Sequence, residues 1–479
     1  MNYRMIAYIL SRVLLIMAGL LLLPLIAALV YGESVLPFVV TILLTALCGG
    51  ALLLFRPKTR EIYAREGFVC VGLSWVLMSL LGAVPFVIGG DIPRFVDAFF
   101  ETASGFSTTG ASILNDVESL SRSGLFWRSF THWIGGMGVL VFLMAVLPMS
   151  GERSMHIMRA EVPGPVVGKL VPRARQTARI LSLIYGGFTA AETVMLMLGG
   201  MSFYEALLHA FAAAGTGGFS TRNASIAAFD SAYIEGVIGF FLVLFGMNFN
   251  LFYLILIGRV RDALRSEELH RYFEIILVSM GLIILGTVGI YGLAGSLRHS
   301  FFVTMTTLST AGFCTQDYML WPGYLQSLIV LLMFIGGCAG STGGGLKLSR
   351  VMLFVRAAAA DVGRVVNPRR MNRVMMDGKP VSPETTGAVY SYVALVSLIL
   401  LGCTALISVD GYDFSTNFTA ALSCISNIGP GLGKIGPSGN FSIFSDFSKI
   451  VMAITMLFGR LEIYAMLILF IPSTWRKAR

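Results

Sequence analysis

The stretch Phe99–Gly110, FFETASGFSTTG, is the first of four related segments, because three further stretches align with it without gaps. They are Leu207–Gly218 (LLHAFAAAGTGG), Phe301–Gly312 (FFVTMTTLSTAG) and Phe418–Gly429 (FTAALSCISNIG). Each begins with apolar and small residues and ends in Ser or Gly, then Thr or Asn, one further residue, and Gly. The final glycines lie 108, 94 and 117 residues apart, which indicates a divergent internal repeat.

A second register of glycines supports the repeat. It follows each final glycine by 24 to 30 residues and lies inside a long apolar segment. The four members are Ile134-Gly135-Gly136, Phe245-Gly246-Met247, Ile335-Gly336-Gly337 and Phe458-Gly459-Arg460. Two registers in the same order predict four copies of one structural unit.

The composition places these units in a membrane. Hydrophobic residues make up 56% of the 479 residues and charged residues only 13%, with a mean hydropathy of +0.79. Soluble domains carry about 25% charged residues, and a bilayer span needs about 20 apolar residues. The first two spans are predicted over residues 8–30 and 37–55, as retained helices because the first lacks a small-residue cleavage site.

The distribution of basic residues predicts the topology. The net charge of +9 comes largely from arginine and lysine clusters between apolar segments. If all clusters and both termini are cytoplasmic, as the positive-inside rule requires, each intervening stretch leaves and returns to one side. The apolar part of each aligned stretch is too short to cross a bilayer. It therefore predicts a re-entrant helix between two full spans.

These patterns give an all-α polytopic membrane protein, with four pseudo-symmetric helix–pore loop–helix units around one central pore. The predicted boundaries are two N-terminal transmembrane helices in 1–66, then units 1 to 4 in 67–152, 153–262, 263–380 and 381–479. Unit 3 is the one expected to have a broken second helix. The six cysteines are scattered without a CxxC pair, which indicates free thiols.

The ends of the aligned stretches suit cation conduction. A permeating cation must exchange water for other oxygens, and a ring of backbone carbonyls can supply them. Glycine allows the irregular backbone that turns carbonyls toward a pore, and each short helix adds about half a negative charge at its C-terminal end. We call the candidate filter residues strips 1 to 4: Thr108-Thr109-Gly110, Thr216-Gly217-Gly218, Thr310-Ala311-Gly312 and Asn427-Ile428-Gly429.

Two departures from the repeat are candidate gates. In unit 3, clustered glycine and hydroxyl residues predict an unwound intramembrane loop, followed by Lys347, which either bonds the loop or extends to the cytoplasmic surface. In unit 4, Arg460 lies mid-span and is expected to face the pore below the filter, where it raises the barrier for cations. The candidate gating residues are Gly336, Gly337, Gly340, Ser341, Thr342, Gly343, Gly344, Gly345, Lys347 and Arg460.

The motifs SGFSTTGAS (Ser104–Ser112), GTGGFST (Gly215–Thr221), STAGFC (Ser309–Cys314), SNIGPG (Ser426–Gly431) and GGCAGSTGGGLK (Gly336–Lys347) carry a family resemblance. The chain resembles the potassium transporter superfamily of TrkH, KtrB and the plant HKT proteins. The two extra N-terminal spans make it more similar to TrkH than to KtrB. In this superfamily a glycine at each filter centre marks potassium selectivity, and here all four positions are glycine.

The resemblance implies potassium uptake across a bacterial inner membrane, a homodimer, and a cytosolic nucleotide-binding regulatory subunit similar to TrkA. Potassium would be the permeant ligand, bound only at the filter residues, and no cofactor, nucleic acid or enzyme activity is expected. Two alternatives stay open at this point. One is a weakly selective or sodium-permeable channel, and the other is a symporter coupled to protons or sodium; repeats of one orientation disfavour alternating access.

Overall fold

The computed structural model describes residues 1–55, 57, 63–138, 174–367 and 373–475. Two N-terminal spans open the fold. Helices α1 (Tyr3–Leu20) and α2 (Leu22–Tyr31) together form the first span, and α3 (Leu36–Leu53) packs back against α1 as the second. The predicted spans over 8–30 and 37–55 are therefore confirmed.

Helices account for nearly all the remaining regular structure in the described ranges. The helices that follow are α4 (Ala64–Gly82), α5 (Val84–Gly89), α6 (Phe95–Phe106), α7 (Arg122–Met137), α8 (Ala174–Leu198), α9 (Phe203–Ala214), α10 (Ala232–Gly246), α11 (Phe249–Leu256), α12 (Val260–Leu264), α13 (Glu267–Leu308), α14 (Gly323–Ile335), α15 (Leu348–Val366), α16 (Pro383–Ile407), α17 (Phe414–Ser426), α18 (Asp446–Arg460) and α19 (Tyr464–Phe470). Strands β1 (Met375–Met376) and β2 (Lys379–Pro380) form an antiparallel hairpin in which Met375 pairs with Pro380.

The length and hydropathy of the helices confirm an all-helical membrane protein. Within the described ranges, six helices are long and apolar enough to cross a bilayer, and α10 with α11 forms a seventh candidate bent by 88°. Large apolar side chains on these helices are exposed, as lipid-facing surfaces require. The six are Tyr3–Tyr31, Leu36–Leu53, Arg65–Gly89, Gln176–Leu198, Glu267–Leu308 and Pro383–Asp410.

Each predicted re-entrant segment is a short helix that ends in the protein interior. These pore helices are α6, α9, α17 and the part of α13 after Gly292, whose φ of 69° and ψ of 177° break that long helix. Helix α6 packs between α7 and α18, and α9 packs between α7 and α8. Unit 1 thus contacts both unit 2 and unit 4, as units arranged around an axis must.

The second span is interrupted in more units than the sequence analysis expected. The loop 336–347 separates α14 from α15 in unit 3, as predicted. However, α10 ends at Gly246 before the 88° bend, and α18 ends at Arg460 before α19. The expectation of continuous second spans in units 2 and 4 is corrected. In unit 1, helix α7 ends near the matching position, at Met137, and Gly138 has a φ of 74°.

Close packing on the pore helices explains the glycines of the second register. A β-carbon on Gly135 would overlap the carbonyl oxygen of Phe106, in the last turn of α6. A β-carbon on Gly459 would overlap the carbonyl oxygen of Ile425, at the matching position of α17. The second span therefore touches its own pore helix at this register, and the chain turns directly afterwards.

Several predicted features lie outside the described residues. They include the end of unit 1, the basic residues of 153–173 and the chain after Trp475. The unit boundaries and the cytoplasmic location of both termini stay predictions.

The contact at Gly135 gives a prediction for stability. The substitution Gly135→Ala should destabilise the protein by about 1–3 kcal/mol, because overpacking a close contact forces the backbone apart. Gly236→Ala on α10 is the matched control, since no atom lies within 4 Å of a β-carbon added there. Thermal unfolding of the purified protein in detergent should show a lower Tm for Gly135→Ala alone. An equal Tm for both variants would contradict this packing.

Candidate functional site: a ring of four backbone strips

The four strips share an unusual backbone conformation. Their first residues lie in the left-handed region. Three of the four are threonines, which as β-branched residues rarely adopt this conformation, so the surrounding fold imposes it there. The φ values are 56° at Thr108, 52° at Thr216, 63° at Thr310 and 55° at Asn427. The closing glycines also have positive φ, namely 77° at Gly110, 78° at Gly218, 77° at Gly312 and 105° at Gly429.

Each strip is hydrogen-bonded to its own pore helix in the same way. The backbone N–H of the middle residue donates to a helix carbonyl five residues earlier in the chain. The pairs are Thr109 to Ser104 at 2.8 Å, Gly217 to Ala212 at 2.8 Å, Ala311 to Thr306 at 2.8 Å and Ile428 to Ser423 at 3.1 Å. The N–H groups are thus held against the helices, and the helix C-terminal ends all face the strips.

The strips from all four units meet in a closed ring. A β-carbon added to Gly110 would overlap the Gly217 carbonyl oxygen of strip 2. In the same way, a β-carbon on Gly218 would overlap the Ala311 carbonyl oxygen, and one on Gly312 would overlap the Ile428 carbonyl oxygen. A β-carbon added to Gly429 would lie 3.0 Å from the carbonyl oxygen of Thr109, which closes the ring. Residues separated by more than 300 positions in the chain are therefore neighbours here.

The carbonyl oxygens of the middle strip residues lie around the ring. Among the described residues, none donates a hydrogen bond to the carbonyl oxygen of Thr109, Gly217, Ala311 or Ile428. These four residues are buried, whereas Gly110, Gly218 and Gly312 are partly exposed. Buried backbone carbonyls nearly always have a partner. A ring of unpaired carbonyls at helix C-termini can replace the water around a cation.

The intramembrane loop presses against two of the strips. The Gly344 N–H donates to Thr310 Oγ1 of strip 3 at 2.6 Å. The Gly345 N–H donates to the carbonyl oxygen of Ser426, directly before strip 4, at 2.9 Å. A β-carbon on Gly344 would overlap that Ser426 oxygen. The loop thus lies against the inner ends of the pore helices of units 3 and 4.

Two cationic side chains hold the loop. Lys347 is buried, and its Nζ donates to the Gly343 carbonyl oxygen and, at 3.3 Å, to Ser341 Oγ. Of its two predicted roles, the structure therefore shows bonding to the loop. The Arg460 guanidinium donates to the carbonyl oxygens of Thr342 at 2.6 Å and Gly135 at 2.6 Å. Arg460 thus joins unit 4 to the loop of unit 3 and to the helix end of unit 1.

Glu268 is a functional candidate that the sequence analysis missed. Its Oε1 accepts the N–H of Ala339 at 2.7 Å and the N–H of Ser349 at 3.0 Å. One buried carboxylate therefore joins the two ends of the loop. An acidic residue at the start of an apolar span is a signal in principle. However, Glu267 is adjacent, and the sequence does not show which of the two turns inward.

Arg128 and His132 both lie on helix α7, in the protein interior. Both are buried behind strips 1 and 2. Arg128 Nε lies 2.7 Å from Glu101 Oε1, and the His132 ring stacks on Phe219 with centroids 4.0 Å apart. A β-carbon on Gly217 would overlap the His132 ring. Both side chains are buried because helix α7 packs between the pore helices α6 and α9 and cannot face the surface on this side.

This architecture defines a class: membrane proteins that gather re-entrant pore helices around a ring of backbone carbonyls. The sequence matches the TrkH family model, described as a cation transport protein, over residues 36–284 and 272–477. The chain belongs to the TrkH family. A transport family of this kind is not an enzyme family, which agrees with the expectation of no catalytic activity.

Individual relatives match over nearly the whole chain. The Trk system potassium uptake protein TrkH of Escherichia coli strain K12 is 34% identical over 486 residues, covering 100% of both chains. The Trk system potassium uptake protein TrkG of the same strain is 35% identical, covering 95% of this chain and 94% of the relative. The crystal structure of the potassium transporter TrkH from Vibrio parahaemolyticus matches with a TM-score of 0.88 and 32% identity, covering 99% of this chain and 100% of that chain.

The position of Glu268 gives a prediction for the loop. The substitution Glu268→Ala should expose Cys338, a buried free thiol on the loop, to modification. Each N–H that loses its acceptor costs about 1–3 kcal/mol, so the population of the opened loop should rise at least about tenfold. The rate of maleimide labelling measures this, in a background whose other cysteines are replaced by alanine.

The matched control is Glu267→Ala. The Glu267 carboxylate lies 2.7 Å from Arg356 in a partly exposed ion pair and does not touch the loop. Its removal should leave the labelling rate of Cys338 unchanged. Equal rates in both variants would show that Glu268 does not hold the loop closed.

Proposed function

We propose that this chain conducts potassium ions across a bacterial cytoplasmic membrane, through a filter formed by strips 1 to 4. The ring of unpaired carbonyl oxygens is the observation that carries the proposal. These oxygens are neutral and numerous, and the glycine at the end of every strip leaves room for the neighbouring strip. Such a ring suits a monovalent cation that loses its water at moderate cost.

Two further observations favour potassium as the permeant ion. Every strip ends in glycine, so no hydroxyl or larger side chain occupies the ring at Gly110, Gly218, Gly312 or Gly429. Relatives that match the full chain are named potassium uptake proteins. The filter of this proposal consists of backbone only, and no cofactor takes part.

The intramembrane loop and Arg460 form the proposed gate. The loop lies against the inner ends of two pore helices, where an ion leaving the filter must pass. Arg460 adds a positive charge at the same level, which opposes cation passage by electrostatic repulsion. Lys347 and Glu268 hold the loop in this position. Conduction then requires the loop to move away from strips 3 and 4.

We further propose that the chain works as a membrane subunit of a Trk-type system. Relatives are named as parts of a Trk system, which implies further components. A homodimer and a cytosolic nucleotide-binding subunit similar to TrkA are the proposed partners. The β1–β2 hairpin, which this topology places in the cytoplasm, offers a contact point near the gate. The Asp377 carboxylate in its turn accepts the N–H of Glu267, next to Glu268, at 2.9 Å.

Flux through the purified chain in liposomes tests the proposal. We expect uptake of potassium and rubidium to exceed that of sodium and lithium at least tenfold, because the ring should suit the larger ions. Equal passage of sodium would favour the weakly selective or sodium-permeable channel instead. Potassium entry only under a proton or sodium gradient would favour a symporter.

The variant Gly218→Ala tests whether the ring determines the selectivity for potassium over sodium. Its β-carbon would overlap the Ala311 carbonyl oxygen, so the potassium-to-sodium ratio should fall. Gly323→Ala is the control, because no atom lies within 4 Å of the β-carbon at this helix start. If Gly218→Ala keeps the selectivity of the unmodified chain, the ring is not the filter.

Removing the charge of Arg460 tests the gate. Arg460→Ala should increase potassium flux several-fold, because it removes both the positive charge and the bonds to Thr342 and Gly135. Arg460→Lys keeps the charge with fewer donors and should lie closer to the unmodified chain. Unchanged or reduced flux in a folded Arg460→Ala variant would contradict the gating role.

A further inference from the structure

A buried ion pair lies behind the ring, between units 1 and 2. Glu101 belongs to pore helix α6, and Arg128 belongs to α7. Arg128 Nε is 2.7 Å from Glu101 Oε1, and the two side chains are 3% and 0% exposed. Burying two charges is costly even when they pair. A pair retained at this place therefore calls for an explanation beyond stability.

The Glu101 carboxylate holds the chain that leaves strip 1. Its Oε1 accepts the hydroxyl of Ser112 at 2.9 Å, and its Oε2 accepts the N–H of Ile113 at 3.0 Å. Ser112 follows the filter glycine Gly110 by two residues. The carboxylate thus fixes the outer end of strip 1 against its own pore helix.

The Arg128 guanidinium holds the chain that leaves strip 2. Its Nη1 donates to the Ser220 carbonyl oxygen at 3.1 Å. Its Cζ also lies 3.5 Å from the ring centroid of Phe219, the residue directly after Gly218. A single chain of contacts, from Ser112 through the ion pair to Ser220, therefore joins the outer ends of strips 1 and 2.

The repeat shows that this pair belongs to unit 1 alone. At the position of Glu101, the other units have His209, Val303 and Ala420. At the position of Arg128, they have Gly239, Ile329 and Met452. His209 makes a weaker version of the same link, with its Nε2 2.9 Å from Ser220 Oγ. Units 3 and 4, against which the loop packs, are apolar at both positions.

We propose that Glu101 and Arg128 are positioning residues that set the spacing of strips 1 and 2 and so determine cation selectivity. The inference rests on the proposed function, since it requires that the strips select. Discrimination between two ions depends on small differences in carbonyl position, and a bonded ion pair at 2.7 Å resists such displacement. The pair touches no permeating ion itself.

The test is the ratio of potassium to sodium uptake by the full chain in liposomes. The double variant Glu101→Leu/Arg128→Met removes both charges, leaves no lone buried charge, and keeps similar volumes. We expect this ratio to fall at least tenfold. The ratio does not depend on the amount of folded protein, so a purely stabilising role would leave it unchanged.

The matched control is the double variant Glu235→Leu/Arg298→Met. Arg298 Nε lies 2.7 Å from Glu235 Oε2 in a second ion pair between helices, and Arg298 also pairs with Asp230 at 3.2 Å. No hydrogen bond or ion pair among the described residues joins either side chain of the double variant to a strip. The potassium-to-sodium ratio of this control variant should equal that of the unmodified chain. An equal loss in both double variants would overturn the inference, because general damage would then explain the effect.

The remaining outcomes separate this inference from the proposed function. If the unmodified chain does not select potassium, the proposed function fails. If it selects and the Glu101/Arg128 double variant selects equally well, only the present inference is overturned. If that variant does not fold, Glu101→Gln decides by the same ratio: a fall of at least threefold supports the pair, and an unchanged ratio overturns it.

Discussion

Four backbone carbonyls at the middle of the strips accept no hydrogen bond from any residue that the structure describes, and the surrounding helices and glycines are arranged around them. Inside a membrane, an unsatisfied polar group costs several kcal/mol. This cost arises at four residues together, Thr109, Gly217, Ala311 and Ile428. The residues that precede them in the strips also have positive φ values. Pore helices hold the N–H groups of the strips, and glycines let neighbouring strips approach. In the proposed function, a permeating cation supplies the missing partner.

The two halves of the ring are supported differently. Behind strips 1 and 2 lies the bonded pair of Glu101 and Arg128, which is hydrogen-bonded to the chain that leaves each of these strips. Beneath strips 3 and 4 lies the intramembrane loop, held by Lys347, Arg460 and Glu268. Strips 1 and 2 would then form a rigid half of the ring, whereas strips 3 and 4 would be freed when the loop moves away. Such a division would allow one pore both to select and to open.

Much of this architecture could be predicted from the sequence, because the repeat carries it. Strips 1 to 4 and the loop of unit 3 follow from residue types at matching positions. The helix breaks after Gly246 and Arg460 could not be predicted, since glycine in an apolar span indicates close packing as readily as a break. The roles of Glu268 and Arg128 could not be predicted, because their partners are far away in the chain. A single sequence does not show which distant residues are in contact.

The position of the permeant ion shows whether the ring of carbonyl oxygens is the filter. Crystals of the chain grown with rubidium in place of potassium would show the ion by its anomalous scattering. We expect a peak on the axis of the ring, within coordination distance of the carbonyl oxygens of Thr109, Gly217, Ala311 and Ile428. An empty ring, or a peak bound by side chains elsewhere in the protein, would contradict this expectation.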